Sequence, residues 1–214
     1  GAAGGGGGGG TLTLNYIGNY EQPTDGSSFT FTDVDIGTPA SDRLVIACFH
    51  ARGGVSSDFT GATCSIGTPT TSISAKSNYV TTSIVYLEAS SGTTANFTAS
   101  YSGNKLGCEL AIYTLTGWTS STPSDTDSHI GSTNISVTLD IPATSVAVYA
   151  FSQQSITATG AWSSATETYD GDIAGEGTTA AIGAYLFDAG NSHTETLTPS
   201  RLNSGCSLIG AVWS

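Results

Sequence analysis

The run Asp42-Arg-Leu-Val-Ile-Ala-Cys-Phe-His-Ala-Arg52 is the longest apolar stretch of the chain, and it predicts the strand on which the fold depends. In a β-strand, successive side chains point to opposite faces. One face would carry Leu44, Ile46 and Cys48, and the other would carry Val45, Ala47 and Phe49. Because both sets are apolar, we expect this strand in the middle of a sheet that is covered on both sides.

A related stretch, Val146-Ala-Val-Tyr-Ala-Phe151, recurs in the second half of the chain. Other short blocks recur around it in the same order. These blocks and their counterparts are Asp35-Ile36 and Asp140-Ile141, Thr60-Gly-Ala62 and Thr159-Gly-Ala161, Tyr86–Ala89 and Leu186–Ala189, and Gly107–Leu110 and Gly205–Leu208. Ordered matches of this kind indicate a duplicated set of strands. Superposed halves should therefore bring Phe49 onto Phe151 and Cys108 onto Cys206.

The composition is that of a β-protein from outside the cell or from a virion. Charged residues make up 10% of the 214 residues, against about 25% in typical proteins, and Ser, Thr, Gly and Asn fill the polar positions. No helical periodicity of useful length occurs after Thr11. The length allows one large β domain or two small ones, with a sizeable core.

We predict one jelly-roll-like β-sandwich over residues 11–214, with an internal pseudo-two-fold repeat whose halves cover about 28–117 and 134–214. Stacking the halves would bury both faces of their apolar strands, and the polar stretch Trp118–His129 would be a loop between strands. The alternative is two tandem immunoglobulin-like sandwiches. Residues 1–10 form a glycine-rich tether, a composition typical of a flexible linker that is ordered only by neighbouring chains.

The charge balance limits the possible partners. With 17 acidic residues against 5 basic ones, the formal net charge is −12, so a polyanion such as DNA would be repelled. We therefore expect no nucleic-acid partner. No run approaches the ~18 apolar residues of a membrane helix, so membrane insertion is not expected either.

Several blocks together resemble a loosely defined family of uncharacterised β-sandwich proteins encoded in tailed phages and prophages, often of marine or alphaproteobacterial hosts. The blocks are Phe29–Gly37, Ser41–Ala47, Cys64–Gly67, Tyr113–Gly117, and Trp162 with Glu167–Asp170. They are strand-and-turn patterns, and the resemblance extends from Phe29 to the C-terminus.

The resemblance implies a virion structural or fibre protein and supplies no catalytic residue. We therefore expect a non-enzymatic protein on the virion surface, of the tail-fibre or adhesin type, with a role in host attachment. It would be joined to other virion proteins through Gly1–Gly10 and would act as a homo-oligomer. A capsid head-decoration protein is one alternative. A secreted carbohydrate-binding module is another, and either that module or an adhesin could bind a host surface glycan.

Candidate binding residues are few. Trp118, Trp162 and Tyr169 lie near strand ends or turns, where sugar-binding modules present aromatic side chains. No cofactor is expected, with Ca²⁺ as the one possible exception. An acidic loop with Asp170, Asp172 and Glu176 could supply oxygen ligands for this ion, although the loop lacks the EF-hand pattern.

No enzyme motif stands out. His50, His129 and His193 lie in no recognisable hydrolase motif, and His50 is best interpreted as a core or edge histidine. A glycosidase would need two facing carboxylates. The candidates for such a pair are Glu109, Glu167, Asp170 and Glu195.

The four cysteines have no zinc-site spacing and allow three disulfide pairings. Cys48 and Cys64 are equally distant from Ser56, so a hairpin turning there would place them opposite each other. Cys108 and Cys206 are copies in the repeat and would meet if they lay on its pseudo-two-fold axis. We expect these two bridges, and the alternative is four buried free thiols.

Overall fold

The structure, a computed structural model, describes residues 10–53, 56–132, 135–154, 159–172, 179–200 and 205–214, and these residues form sixteen β-strands. The first eight are Thr13–Gln22 (β1), Gly26–Asp35 (β2), Leu44–Arg52 (β3), Phe59–Cys64 (β4), Thr70–Lys76 (β5), Val80–Glu88 (β6), Thr94–Lys105 (β7) and Gly107–Thr116 (β8). The other eight are Asp125–Gly131 (β9), Ser136–Ile141 (β10), Val146–Gln154 (β11), Gly160–Trp162 (β12), Thr166–Asp172 (β13), Thr179–Phe187 (β14), Gly190–Pro199 (β15) and Cys206–Trp213 (β16). The prediction of an all-β sandwich protein is confirmed.

The two halves of the chain have the same strand order. The first half forms a five-stranded sheet, β1-β8-β3-β6-β5, and a three-stranded sheet, β2-β7-β4. The second half repeats both as β9-β16-β11-β14-β13 and β10-β15-β12. Adding eight to each strand number of the first half gives the second, so the duplication inferred from sequence blocks extends to the whole topology. The repeat also includes β1 and β9, which lie outside the expected halves 28–117 and 134–214.

Register confirms the expected equivalence of Phe49 with Phe151 and of Cys108 with Cys206, whereas it matches Tyr86 with Tyr185 and not with Leu186. Phe49 pairs with Leu110 in the first half, and Phe151 pairs with Leu208 in the second. The same registers place Cys108 and Cys206 at corresponding positions of β8 and β16.

Four sheets are stacked, with the three-stranded sheets outside and the five-stranded sheets inside. Each half is thus a two-sheet sandwich with its own apolar core, and a third core lies between the two five-stranded sheets. This differs from a single sandwich made of one sheet from each half. Because β3 and β11 are buried on both faces, one face needs cover within its own half and the other needs the opposite half.

The central strands follow the expected pattern. Leu44, Ile46 and Cys48 of β3 face the other half, whereas Val45, Ala47 and Phe49 face the first half's own outer sheet. Outer strands such as β2 alternate between buried and exposed positions, as a sheet with one solvated face requires.

Side chains of an inner edge strand protect the edge of an outer sheet. Asp125 and Asp127 of β9 accept hydrogen bonds from the backbone N–H groups of Asp140 (2.8 Å) and Thr138 (2.7 Å) on β10. An unprotected strand edge invites pairing with other chains. These two carboxylates therefore have a structural role at the corner of the second sandwich.

Arg43 fixes the connection into β3. Its guanidinium is buried and donates hydrogen bonds to five backbone carbonyls, at 2.7–3.1 Å. The acceptors are Ala89, Ile36, Gly37, Ser91 and Gly92. The second half has Ser145 before β11, where β10 and β11 are joined by a much shorter connection than β2 and β3. The arginine thus satisfies carbonyls of two connections, Ile36 and Gly37 between β2 and β3, and Ala89, Ser91 and Gly92 between β6 and β7.

We predict that Arg43→Ala will lower the free energy of unfolding by about 3 kcal/mol or more, because several buried carbonyls lose charged donors together. Urea denaturation followed by fluorescence measures the change. The matched control is Lys76→Ala, which removes a part-exposed ion pair with Asp58 (2.6 Å) and should cost under about 1 kcal/mol. Equal effects of the two substitutions would contradict the assigned role of Arg43.

Candidate functional site: the junction between the two sandwiches

The surface where the two five-stranded sheets pack, called the junction below, contains a pair of equivalent residues in contact. His50 pairs across strands with Glu109, and Ser152 pairs with Ser207 at the same register of the second half. His50 Nδ1 lies 3.0 Å from Ser152 Oγ. Copies of one position can meet only near the axis that relates them, so the pseudo-two-fold axis passes between these two side chains.

A chain of buried hydroxyl groups extends from this contact. The Thr82 hydroxyl donates to Ser152 Oγ (2.7 Å) and also shares a short hydrogen bond with Ser207. On the other side of the ring, His50 Nε2 shares a short hydrogen bond with the Tyr169 hydroxyl. His50, Thr82, Ser152 and Ser207 are each 0% exposed. The chain links strands of both halves and satisfies polar groups that the junction buries.

Burial keeps the His50 imidazole neutral. It lowers the pKa of His50 to about 3, and a hydrogen bond involving the Phe151 backbone opposes this only in part. Both ring nitrogens face hydroxyl groups, which can donate or accept as a neutral imidazole requires. Ser152 lies at hydrogen-bonding distance, as a nucleophile would, but among the described residues the other ring nitrogen contacts the Tyr169 hydroxyl and not a carboxylate, and the serine is fully buried. The contact is therefore structural.

Aromatic rings fill the junction beside His50. Tyr16 stacks on Tyr169 with ring centroids 5.6 Å apart, and Tyr113 lies 5.4 Å from Tyr16. Tyr113 also shares a 2.6 Å hydrogen bond with Thr168. Burial raises the pKa of all three tyrosines, so their hydroxyls stay protonated.

Gly183 makes room for these rings. A Cβ atom at this position would collide with the ring of Tyr169 and the hydroxyl of Tyr113. Tyr169 pairs with Gly183 at the register where the first half pairs Ile73 with Ile84. Where the first half has two isoleucines of similar size, the second half has a large tyrosine packed over a glycine.

The junction opens at one end into a pocket of about 490 Å³. The first half contributes Leu12 and Gly117 to its wall, and the second half contributes Phe187, Asp188 and the C-terminal Ser214. The remaining lining residues are Gly10, Thr11, Thr119 and Thr144. This pocket could not be predicted from the sequence, because its walls come from separate strand ends.

Of the three aromatic residues expected to bind a ligand, Trp118 and Tyr169 are buried and Trp162 is partly buried. Trp118 is buried in the junction and donates from its indole nitrogen to the Asp42 carbonyl. Tyr169 is held by His50 and Tyr16. Trp162 is partly buried on the second sandwich core, with its ring 5.7 Å from that of Tyr149.

The expected calcium ligands are only partly described. Asp170 is exposed and its Oδ2 lies 3.3 Å from the Gly160 amide, whereas the Asp172 side chain and all of Glu176 lie outside the described residues. Within the described ranges, three or more His, Cys, Asp or Glu side chains nowhere cluster as a metal site would require.

The carboxylates considered for a glycosidase are spread over separate places. Glu109 lies in the junction and accepts a hydrogen bond from Asn19 (3.0 Å). Glu195 is buried in the second sandwich, where it binds Ser163 (2.8 Å) and His193 (3.0 Å). Glu167 and Asp170 are exposed on β13. Glu195 therefore anchors the connection after β12.

The prediction of two disulfides is wrong for this structure, because all four cysteines are free thiols. Cys48 faces the junction, whereas Cys64 packs on the core of the first sandwich. Cys108 and Cys206 lie in the separate cores of the two sandwiches, with the junction between them. The equivalent residues that meet on the pseudo-two-fold axis are His50 and Ser152, and not Cys108 and Cys206. The alternative of four free thiols therefore describes this structure.

Most positive charge is turned inward. Of the four basic residues that the structure describes, Arg43, Arg52 and Lys105 are buried and Lys76 is paired with Asp58. Lys105 donates to Thr81 (2.8 Å), and burial lowers its pKa to about 8. The exposed surface is thus even more acidic than the composition indicates.

Comparisons with known proteins gave no match: no family model fits the chain, and no curated protein or solved structure is significantly similar to it. In the part of the chain that the structure describes, no helix is long and apolar enough to span a bilayer.

We predict that Gly183→Ala will destabilise the protein by about 1–3 kcal/mol, since the added methyl group must displace two packed tyrosines. Chemical denaturation measures the loss. Gly171→Ala is the control, because a Cβ there has no neighbour within 4 Å. If the two variants were equally stable, the tight Tyr169–Gly183 packing would be refuted.

We also predict that His50 makes the fold sensitive to acid. Its folded pKa of about 3 lies below the ordinary value of 6.5. The unfolded chain therefore takes up a proton that the folded chain does not, and stability is lost as pH falls below about 6.5, by up to ~1.4 kcal/mol per pH unit. Denaturation between pH 7 and pH 5 should show a steeper loss for the native sequence than for His50→Asn. Parallel pH profiles would contradict this role.

Proposed function

We propose that the protein is a non-enzymatic surface protein of a tailed-phage virion, of the tail-fibre or adhesin type, that takes part in host attachment. In this proposal it is a homo-oligomer joined to other virion proteins through Gly1–Gly10. The resemblance of Phe29–Gly37 and the accompanying blocks to phage β-sandwich proteins supports the virion setting.

One observation carries the non-enzymatic part of the proposal: His50 and the polar side chains around it hold the two sandwiches together. His50, Glu109 and Ser152 are fully buried, and Tyr169 is nearly so. A catalytic site must admit its substrate, whereas this cluster is occupied by its own hydrogen bonds. In this proposal the junction has a structural role, and the outer surface carries the function.

The distribution of charge supports a role in contact with neutral surfaces. Acidic side chains such as Asp188 and Glu88 are exposed, whereas the described arginines and Lys105 are buried. Such a surface stays soluble and repels anionic polymers. It therefore favours neutral partners over nucleic acids or other polyanions.

Two measurements test the proposal. Immunogold labelling of phage particles with an antibody against the chain should place gold on the tail fibres, and purified protein added to host cells should slow phage adsorption by occupying the receptor. Label confined to the capsid would replace this proposal with the head-decoration alternative. Particles without any label would exclude a virion protein and leave the secreted carbohydrate-binding module.

A further inference from the structure

The pocket at the open end of the junction has the size and position of a ligand site. Its volume of about 490 Å³ lies within the ~300–1,000 Å³ typical of small-molecule sites, which often lie between domains. Leu12 and Gly117 from one half face Phe187 and Asp188 from the other. A ligand there would contact both sandwiches.

The walls combine one flat apolar side with several polar groups. Phe187 is half-buried, and its ring packs edge-on against Tyr185 with centroids 5.7 Å apart, which fixes its orientation. Thr11, Thr119 and Thr144 also line the pocket, with the Thr119 hydroxyl donating to the Ser214 carbonyl (2.8 Å), and Asp188 brings an exposed carboxylate. A planar ring beside hydrogen-bonding groups suits a ligand with one C–H face and a hydroxyl-bearing edge.

The polar wall is held in place by unusual backbone. Thr144 (φ 65°) and Asp188 (φ 49°) both have left-handed conformations, which are costly for a β-branched residue such as threonine. Ser145 and Asp188 hold each other through two hydrogen bonds, Ser145 N to Asp188 Oδ1 (3.2 Å) and Asp188 N to the Ser145 carbonyl (3.1 Å). A carboxylate accepts several hydrogen bonds, so Asp188 retains capacity for a ligand.

Charge selects the class of ligand. Among the lining residues that the structure describes, one carries a carboxylate side chain and none is basic, and the protein has a net charge of −12. A phosphate, sulfate or carboxylate on the ligand would be repelled. A neutral ring with adjacent hydroxyl groups can donate to Asp188 while its C–H face covers Phe187.

We infer that this pocket binds a neutral sugar ring, stacked on Phe187 and hydrogen-bonded to Asp188. The inference rests on the proposed attachment function and names its ligand as an uncharged glycan. The site is shared between the two halves of the repeat, because Leu12 and Gly117 of the first half line it together with Phe187 and Asp188 of the second.

The test uses a glycan array with neutral and anionic members, followed by titration of the neutral hits with the purified full chain. Phe187→Leu keeps the apolar volume but loses the flat ring, and Asp188→Asn keeps the left-handed backbone, which asparagine tolerates, but loses the charge. Each should weaken binding by about tenfold or more. Tyr79→Ala, which removes an exposed aromatic side chain outside the pocket lining, should leave binding unchanged.

The outcomes separate this inference from the proposed function. If neutral glycans bind equally well to Phe187→Leu and Asp188→Asn, with both variants folded by circular dichroism, the site lies elsewhere and the inference fails. A preference for anionic glycans, or cell binding without any glycan binding, also overturns it while leaving host attachment standing. If the native protein did not bind host cells, both the glycan site and the host-attachment function would be refuted.

Discussion

The architecture depends on one constraint, which is that the central strand of each half is apolar on both faces. A sheet built around such a strand must be covered twice. Each half covers one face with its own three-stranded sheet, and the other face finds the matching sheet of the second half. Residues such as Ile46 and Val148 would be exposed if the halves were separated, so the four layers form one interdependent body.

The two five-stranded sheets face each other with equivalent surfaces because they are copies, and they pack closely because some equivalent residues differ in size. Equivalent residues lie across from each other near the pseudo-two-fold axis, where two identical side chains would have to share one place. The chain has His50 on one side and the smaller Ser152 on the other, so a single hydrogen bond replaces a clash. Tyr169 over Gly183 shows the same complementarity of size, because a large ring needs a residue without a side chain beneath it.

The placement of charge links the fold to the surface that it presents. Arg43 and Lys105 are used inside the first sandwich, where backbone carbonyls, a hydroxyl group and an aromatic ring surround them. Among the acidic side chains whose burial the structure describes, Glu109 and Glu195 are fully buried with hydrogen-bonding partners, and the others are half-buried or exposed. The burial of basic side chains therefore adds to the net negative charge of the exposed surface.

Sequence by itself determined the all-β class, the central strands in the stretches Asp42–Arg52 and Val146–Phe151, and the repeat, because strand periodicity and recurring blocks are local properties. It also indicated that His50 is a core histidine. It could not determine which sheets face each other, since a strand that is apolar on both faces fits a single sandwich as well as a four-layer stack. The tertiary structure alone decided that Cys48 and Cys64 face different cores, that Trp118 is buried, and that Leu12 and Phe187 line one pocket. Those facts depend on contacts between residues far apart in the chain, which local periodicity does not encode.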